Sequence, residues 1–331
     1  MVGAVNESEP VLDDAGADSG TDVDAMVWID GRLRRYEEAT VHVLSHAVQR
    51  GSTVFDVLRV VENDDGPVAV GLRPHVARFD RSMHLMGMKP AAGMAEIEQA
   101  VARTVLANPG SNLVKLVATW ATTPTTALPD SPVPVLTIAA ITGTVTVPGT
   151  AVPLRACTVT APKMPADILP PALKVAAAYT SGLRHKMQAI AAGFDEIILR
   201  TPTGELAESV SQSVFVVSGG RVLVPPLDVV LDGITRRMIL DVGHHQGLHT
   251  QIRAVDWHEV EEADEVFLCS TTNPILPVAE LDARTLSAPG PVTAALAETA
   301  ADVLSGRHPL SARWLTPLEP LAAGTDQAHS R

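Results

Sequence analysis

Side chains that could act together in chemistry lie between Lys174 and Thr272. Lys174 stands in an apolar run of Pro, Ala and Leu. Such surroundings disfavour the charged form of an amine, so they lower its pKa and make it a nucleophile and a proton carrier. Tyr179 follows soon after, and Glu208 follows a predicted hairpin. A lysine amine can form a Schiff base with an aldehyde, and a carboxylate can keep a ring nitrogen protonated.

Two turns in the same half of the chain could bind a phosphate group. Gly233-Ile234-Thr235 opens a predicted helix, whose free amides and dipole attract anions. Ser270-Thr271-Thr272 follows a predicted strand and offers hydroxyls and turn amides. Arg78 could add a bidentate contact from an earlier helix. A Schiff-base amine, an acid for a ring nitrogen and a phosphate cradle are the parts that hold pyridoxal 5′-phosphate, so these residues predict that cofactor.

Each of these residues also has a purely structural interpretation. Lys174 could be a surface lysine at a helix start, although the helix dipole disfavours a cation there. Glu208 could be a solvated residue at a strand end, Arg78 a surface arginine, and the two turns ordinary helix caps. The order and spacing of the whole set favour cofactor binding. The histidines and cysteines show no spacing that resembles a metal site, so no metal is expected.

Composition excludes several kinds of partner. The chain of 331 residues has a formal net charge of −13, which argues against nucleic acid because nucleic-acid-binding proteins usually present a basic surface. The two cysteines, Cys157 and Cys269, provide no disulfide framework and favour a cytoplasmic location. The N-terminus lacks the features of a signal peptide. Residues 131–154 carry no charge, but prolines, glycines and alternating threonines predict a strand and a linker there and not a membrane span.

The order of elements predicts an α+β or α/β protein with two domains. Residues 1–25 have the acidic, low-hydrophobicity composition of a disordered tail. Strands with two helices predict a small α/β domain over residues 26–142, and the Gly-, Pro- and Thr-rich residues 143–153 form a linker. Residues 154–315 form a larger domain, and residues 316–331 a polar tail.

Periodicity places the main elements of these domains. The predicted helices span about residues 74–88, 95–107, 176–192 and 235–245, and a short helix lies around 257–262. The predicted strands of the larger domain lie at residues 196–200, 206–208, 214–217, 221–224, near 252–255, and at 265–269.

A wider set of motifs surrounds the candidate residues. It comprises residues 41–47 and 51–56, His75-x-x-Arg78-Phe79-x-x-Ser82, the Lys174/Tyr179 segment, and residues 204–208, 232–236, 263–267 and 277–278. Together they resemble the class IV aminotransferases, the fold-type IV pyridoxal-phosphate enzymes, and are most similar to the branched-chain branch. The similarity extends from about residue 28 to residue 278.

The resemblance implies a homodimer built from a small α/β domain and a pseudo-barrel domain, with the active site between them. Lys174 would form the Schiff base and move the proton, Arg78 would hold the phosphate, Tyr179 would contact the ring oxygen, and Glu208 would pair with the ring nitrogen. Further phosphate contacts are implied for Ile234, Thr235, Ser270 and Thr271.

The match is incomplete in the substrate pocket, for which the resemblance implies Phe55, Arg59, Arg50, Lys115 and Thr272. Branched-chain enzymes usually carry Tyr where this chain has Arg50, and Tyr-x-Arg where it has Leu113-Val114-Lys115. Arg50 and Lys115 still bring positive charge, so an acidic acceptor such as 2-oxoglutarate fits. Ser270-Thr271-Thr272 replaces Gly-Thr-Ala, a change that resembles the amine-transaminase branch.

One function is therefore expected first, with two alternatives. The first is a ping-pong aminotransferase that moves an amino group from an apolar, branched-chain-like amino acid or an amine to a 2-oxo acid. The alternatives are a lyase of the aminodeoxychorismate lyase type, or a D-amino-acid or (R)-amine transaminase. A non-catalytic binding protein is disfavoured, because binding alone requires neither Lys174 nor Glu208.

Overall fold

The fold is built on two β-sheets, seen in a computed structural model that describes residues 25–319. Its strands are β1 (Met26–Ile29), β2 (Arg32–Arg35), β3 (Val54–Asn63), β4 (Gly66–Val70), β5 (Leu113–Thr119), β6 (Val135–Ile141), β7 (Leu154–Pro162), β8 (Glu196–Arg200), β9 (Ser213–Ser218), β10 (Arg221–Val224), β11 (His249–Ile252), β12 (Glu265–Cys269), β13 (Leu276–Leu281), β14 (Arg284–Thr285) and β15 (Leu315–Pro317). Its helices are α1 (His46–Arg50), α2 (Leu72–Leu85), α3 (Met94–Leu106), α4 (Ala176–Ala191), α5 (Ile234–His245), α6 (Trp257–Glu261), α7 (Pro291–Leu304) and α8 (Ser311–Trp314). The predicted acidic tail, apart from Ala25, and most of the polar tail lie outside the described residues.

The first sheet has seven strands in the order β15-β4-β3-β5-β6-β1-β2, and every neighbouring pair is antiparallel. Helices α2 and α3 cover one face. Side chains alternate along a strand, so Val54 and Leu58 of β3 pack under α2 against Phe79 and Met83. The intervening residues of β3 face the other side of the sheet and are less buried.

The second sheet has eight strands, with the path β11-β10-β9-β12-β13-β7-β8 and β14 paired to β13. It is mixed, because β10 is parallel to β11 and β7 is parallel to both β8 and β13. Nearly all residues of β9 and β12 are buried, as expected for central strands covered on both faces. Phe215 and Phe267 stack at 4.7 Å in the core beneath α5 and α7. We propose that the two sheets with their covering helices correspond to the two predicted domains.

Three predictions differ from the structure, and a further set of elements was not predicted: α1, β7, β13, β14, α7 and α8. Residues 206–208 form a single bridge, between Leu206 and Arg200, and not a strand. The strand predicted near 252–255 lies earlier, at β11, because it pairs in parallel with β10 from Arg221 opposite His249. The third difference lies at the C-terminus. Across residues 25–319, none of the helices combines the length and hydrophobicity that crossing a bilayer would need.

The predicted start of the polar tail at residue 316 is wrong for its first residues. Strand β15 pairs antiparallel with β4, with Leu315 opposite Val70 and Pro317 opposite Val68. Leu318 then enters the core of the first sheet and is only 4% exposed. A sheet edge presents unpaired backbone groups, and Pro is tolerated on an edge strand, so a short segment can pair there although its sequence shows no strand pattern.

Leu318→Ala tests this C-terminal anchor. We expect it to lower the free energy of unfolding by about 2–4 kcal/mol, because it leaves a cavity in a packed core. The matched substitution Leu85→Ala, at a leucine that is 48% exposed, should change it far less. The two values are compared by denaturant unfolding, and equal values would contradict the packing of Leu318.

Candidate active site

A cleft is lined by residues from both halves of the fold. Eight of the lining residues are those predicted to hold the cofactor. One lies on α2, two lie in the segment at the start of α4, and five lie in the loops, turns and helix start around the second sheet. All eight residues predicted to hold the cofactor line this one cleft: Arg78, Lys174, Tyr179, Glu208, Ile234, Thr235, Ser270 and Thr271. Their roles remain predictions, but the structure brings them together.

Lys174 lies just before α4, with its backbone held by neighbours. Its amide donates to Ser82 Oγ (3.1 Å), and its carbonyl accepts from the Phe55 amide (3.2 Å). Its Nζ donates to the Tyr179 hydroxyl at 2.6 Å and lies 4.8 Å from the centre of the Phe55 ring. Burial, together with the positive charge of Arg78, lowers the pKa of Lys174 to about 8. The lowered pKa predicted from the apolar surroundings is confirmed.

Tyr179 lies in the first turns of α4, with its ring 5.2 Å from that of Phe55. Burial raises the pKa of its hydroxyl, and the nearby Glu208 adds to the shift, so Tyr179 stays neutral. The hydroxyl accepts the bond from Lys174, which leaves its own proton free to donate. Tyr179 therefore both orients the amine and offers a hydrogen bond to a bound group.

Glu208 is a nearly buried carboxylate with two fixed partners. Lys163 Nζ forms a salt bridge with it and also donates to the Val229 carbonyl (2.9 Å), while the Leu231 amide donates to both carboxylate oxygens (3.3 and 3.2 Å). Pairing lets a carboxylate be buried at lower cost. Sequence reasoning did not single out Lys163. The available signal was that only five lysines occur in the chain, and two of them, Lys163 and Lys174, lie in one Pro-rich segment.

The start of α5 forms one side of an anion-binding site. Gly233 is the N-cap residue, so the first amides of the helix have no partner within the helix and face outward. The Asp232 carbonyl accepts from Arg78 Nη1 at 2.9 Å. The Asp232 carboxylate is bound by Arg237 and Arg81 instead, so its negative charge is neutralised by these two arginines beside the anion site.

The turn after β12 forms the opposite side. Thr271 Oγ1 donates to the Val57 carbonyl of the first sheet (3.1 Å), and the Ser270 amide donates to the Asn273 carbonyl (2.8 Å). These bonds fix the turn with Ser270 and Thr271 lining the cleft. Arg236, also in the cleft wall, is 2% exposed and donates to the Pro225 carbonyl (2.9 Å). Among residues 25–319 its Nε has no hydrogen-bond partner. Sequence reasoning missed Arg236 as a second buried guanidinium.

Three of the five predicted substrate residues share the face of the first sheet that α2 and α3 leave uncovered. Phe55, Val57 and Arg59 lie on this face of β3, and Lys115 of β5 lies opposite Val57 and is exposed. Arg59 is buried, and its Nη1 donates to the Thr146 carbonyl at 2.7 Å. None of the three lines the main cleft, although Phe55 contacts Lys174 and Tyr179 there.

The other two predicted substrate residues lie elsewhere. The Thr272 carbonyl accepts from the Thr146 amide (2.8 Å), and its hydroxyl lies 3.3 Å from Ser270 Oγ. Arg50, the last residue of α1, is exposed, and the hydrogen bond found for its guanidinium is to the neighbouring Gln49 carbonyl. The structure thus gathers the predicted cofactor residues into one cleft and leaves the predicted substrate residues around it.

Comparison with known proteins gives the same picture as the cleft. The family model for class IV amino-transferases matches residues 53–281. The chain belongs to this family. The branched-chain-amino-acid aminotransferase of Pseudomonas aeruginosa is 28% identical over 305 residues, which cover 90% of this chain and 99% of that protein.

Solved structures extend the match to the whole fold of this class IV aminotransferase. A branched-chain aminotransferase from Thermoproteus uzoniensis, crystallised with norvaline, is 30% identical with a TM-score of 0.83, covering 89% of this chain and 99% of that one. The enzyme from Thermobaculum terrenum in its PLP form is 27% identical with a TM-score of 0.84, covering 90% of this chain and 99% of that one. The fold type and the similarity to the branched-chain branch, both predicted from the motifs, are confirmed.

The lowered pKa of Lys174 predicts how fast the protein reacts with an aldehyde. Only the neutral amine is nucleophilic, so below the pKa of about 8 the rate of covalent attachment of pyridoxal phosphate to apoprotein should rise about tenfold per pH unit. Above that pKa the rate should level off. Stopped-flow absorbance between about pH 6 and pH 10 measures it.

Nα-acetyl-lysine is the control for this experiment, because its amine keeps an ordinary pKa of about 10.4 and its rate should still climb at pH 9–10. A protein rate that follows the same curve as the free amine would contradict the lowered pKa of Lys174.

Proposed function

We propose that this class IV aminotransferase transfers the amino group of an apolar, branched-chain-like amino acid to a 2-oxo acid by a ping-pong mechanism with pyridoxal 5′-phosphate. One observation carries the proposal. A single cleft combines a buried amine of lowered pKa, Lys174, with the Glu208 carboxylate and a two-sided anion site. A pyridoxal-phosphate enzyme needs these three groups together.

The residues of the cleft fit this cofactor. Arg78, the first amides of α5 and the Ser270 hydroxyl would hold the phosphate, and Glu208 would pair with the ring nitrogen. Tyr179 would donate to the ring oxygen, and Lys174 would bind the aldehyde carbon covalently. Within residues 25–319 the Nε of the buried Arg236 donates to no hydrogen-bond partner, and this supports a polar occupant because buried donors are normally hydrogen-bonded. When bound, the cofactor supplies an electron-withdrawing ring that stabilises negative charge at the substrate Cα.

Lys174 is suited to move the proton. A general base acts best when its pKa lies near the working pH, and the pKa of about 8 meets this condition. Lys174 Nζ would take the proton from the substrate Cα, and the Tyr179 hydroxyl, 2.6 Å from Nζ, would hold it in position. The Lys163 salt bridge and the Leu231 amide would keep the Glu208 carboxylate in place throughout.

The uncovered face of the first sheet supports the proposed substrates. Phe55 offers an apolar surface beside Lys174, which suits a branched-chain side chain such as those in the names of the relatives. Arg59 and Lys115 carry positive charge on the same face, which suits the second carboxylate of an acceptor such as 2-oxoglutarate. The exposed Arg50 would add charge from the rim, and Thr272 would complete the pocket beside the turn.

We also propose a homodimer. Residues 41–48 expose four apolar side chains in one short segment, with Val43 at 64%, Leu44 at 58%, Val48 at 51% and Val41 at 47%. A cluster of this kind on a folded protein marks an interaction surface. Arg50 follows this segment by two residues and lies outside the cleft of its own chain, so a second copy would bring this arginine towards a substrate site. Cys157 and Cys269 are free thiols, and on this basis we propose a cytoplasmic location, which cell fractionation would test.

The amino-transfer proposal is tested with a panel of donors. Holoprotein with leucine and 2-oxoglutarate should form glutamate, whereas Lys174→Ala should lose at least about three orders of magnitude in rate because covalent catalysis is lost. Lys89→Ala, at an exposed lysine, is the matched control and should keep full activity. Release of pyruvate from the amino-acid substrate when no 2-oxo acid acceptor has been added would support the lyase instead. Normal turnover in Lys174→Ala would exclude the proposed role of Lys174.

The dimer is tested by placing charge in the exposed segment. The double variant Val43→Asp, Leu44→Asp should sediment as a monomer, because burying two carboxylates in an apolar contact is unfavourable. Val152→Asp, at a residue that is 83% exposed in the linker, should leave the assembly unchanged. Sedimentation velocity gives the mass of each variant, and a monomeric wild-type protein would rule out the dimer.

A further inference from the structure

Asp56 is a buried carboxylate for which the proposed mechanism has no use. It is 0% exposed and lies on β3 between Val54 and Leu58, on the face that packs under α2. Its neighbours there belong to the hydrophobic core of the first sheet. A carboxylate in such a place is strongly unfavourable unless charged or polar partners surround it.

Asp56 has four hydrogen-bond donors around it. Arg78 donates through Nε to Oδ2 and through Nη2 to Oδ1, each at 2.8 Å, in a bidentate pair. His75 Nδ1 lies 2.7 Å from Oδ1, and the Val57 amide donates to the same oxygen at 2.8 Å. His75 and Arg78 are three residues apart, so they lie on one face of α2. A bidentate pair fixes the plane of a guanidinium as well as its position.

A donor count shows what this pair leaves for a ligand. A guanidinium has five N–H groups. Two are bound by Asp56, and one on Nη1 is bound by the Asp232 carbonyl at 2.9 Å. His75 Nδ1 also lies 3.4 Å from Arg78 Nη2. Because this nitrogen carries the N–H that donates to Asp56, it cannot accept a hydrogen bond from Arg78. One N–H on each terminal nitrogen therefore remains for the cleft that Arg78 lines.

The pair also decides how Arg78 can hold an anion. Asp56 cancels most of the positive charge of Arg78, so an anion would be held there by directed N–H groups more than by net charge. Burial alone would raise the pKa of Asp56, but the charges of Arg78 and His75 and their hydrogen bonds hold it well below its usual range. This shift favours the carboxylate form of Asp56, which is the form that can accept the bidentate pair from Arg78.

We propose that Asp56 is a positioning residue that orients the Arg78 guanidinium to bind a phosphate group. This protein would then distinguish phosphorylated from unphosphorylated pyridoxal through Asp56, a side chain that contacts neither of these ligands. The inference rests on the proposed function, because it takes the phosphate of the cofactor as the group that Arg78 binds. It predicts that loss of Asp56 acts on phosphate recognition and leaves the recognition of the ring intact.

The test compares two ligands on apoprotein. Asp56→Asn keeps the size of the side chain but removes one acceptor oxygen and the charge. It should weaken the binding of pyridoxal phosphate about 10- to 100-fold, the usual effect of losing a charge-assisted hydrogen bond. The binding of unphosphorylated pyridoxal should change less than about threefold, because ring contacts remain. Absorbance titration at one fixed pH gives both dissociation constants. If Asp56→Asn weakened the binding of both ligands equally, Asp56 would have a merely structural role and the proposal would be overturned.

A double-mutant cycle tests whether Asp56 acts through Arg78. In an Arg78→Met background, Asp56→Asn should not change the preference for the phosphorylated ligand any further, because the group that it positions is gone. The double variant removes both buried charges together, so it avoids the unpaired charge that could unfold Asp56→Asn. A further fall in preference in this background would overturn the proposal.

The same data separate this inference from the proposed function. If the wild-type protein binds pyridoxal phosphate no better than pyridoxal, the proposed cofactor site itself is wrong. If the wild-type protein shows the preference and Asp56→Asn keeps it in full, the cofactor site stands and only the role of Asp56 is refuted.

Discussion

The guanidinium of Arg78 joins the two halves of this protein at the cleft. On one side it is bound in a bidentate pair by Asp56 of the first sheet, and on the other it donates to the Asp232 carbonyl just before α5 of the second half. A planar group with several directed donors can fix the relative position of two backbone elements in a way that apolar contacts cannot. The walls of the cleft are therefore fixed relative to one another by the same residue that is proposed to bind the phosphate.

This arrangement also connects the anion site to the reactive amine. The positive charge of Arg78 adds to burial in lowering the pKa of Lys174, while the charges of Asp56 and Glu208 act in the opposite direction. The amine thus responds to the balance of charge in the whole cleft. Because Lys174 is also bound through its backbone to Phe55 and Ser82, its position depends on the first sheet, although it stands directly before α4.

The sequence was sufficient to predict the cleft because its parts follow one another at element ends, where local rules apply. Lys174 before a helix, Gly233 at a helix start and Ser270 after a strand each have a local signature. Lys163 was missed because its partner, Glu208, lies 45 residues later in the chain. Arg236 was missed because its burial results from tertiary packing, which its local sequence does not show. Strand β15 was missed for a similar reason, since a sheet edge and not its own sequence makes it a strand.

The ion pair of Asp56 was predictable from the sequence only in part. The structure places Asp56 on the buried face of β3 with Val54 and Leu58, and a buried acid demands a partner. The partner could not be predicted from β3 alone, because it lies 22 residues later on α2. An acidic residue on the buried face of a strand therefore indicates a buried ion pair, but the sequence of the strand does not identify the partner.

The residues proposed for the chemical step and those proposed for substrate specificity differ in burial. The proposed cofactor residues Arg78 and Glu208 are buried and paired within one chain, so in the proposed mechanism one subunit would fix the geometry of the chemical step. Lys115 and Arg50 are exposed, on the uncovered sheet face and at the end of the apolar segment. In the proposed dimer a second copy would cover this region and complete the substrate pocket. Replacements at these two positions relative to the branched-chain enzymes can then change the accepted substrate without disturbing the amine, the acid or the phosphate site.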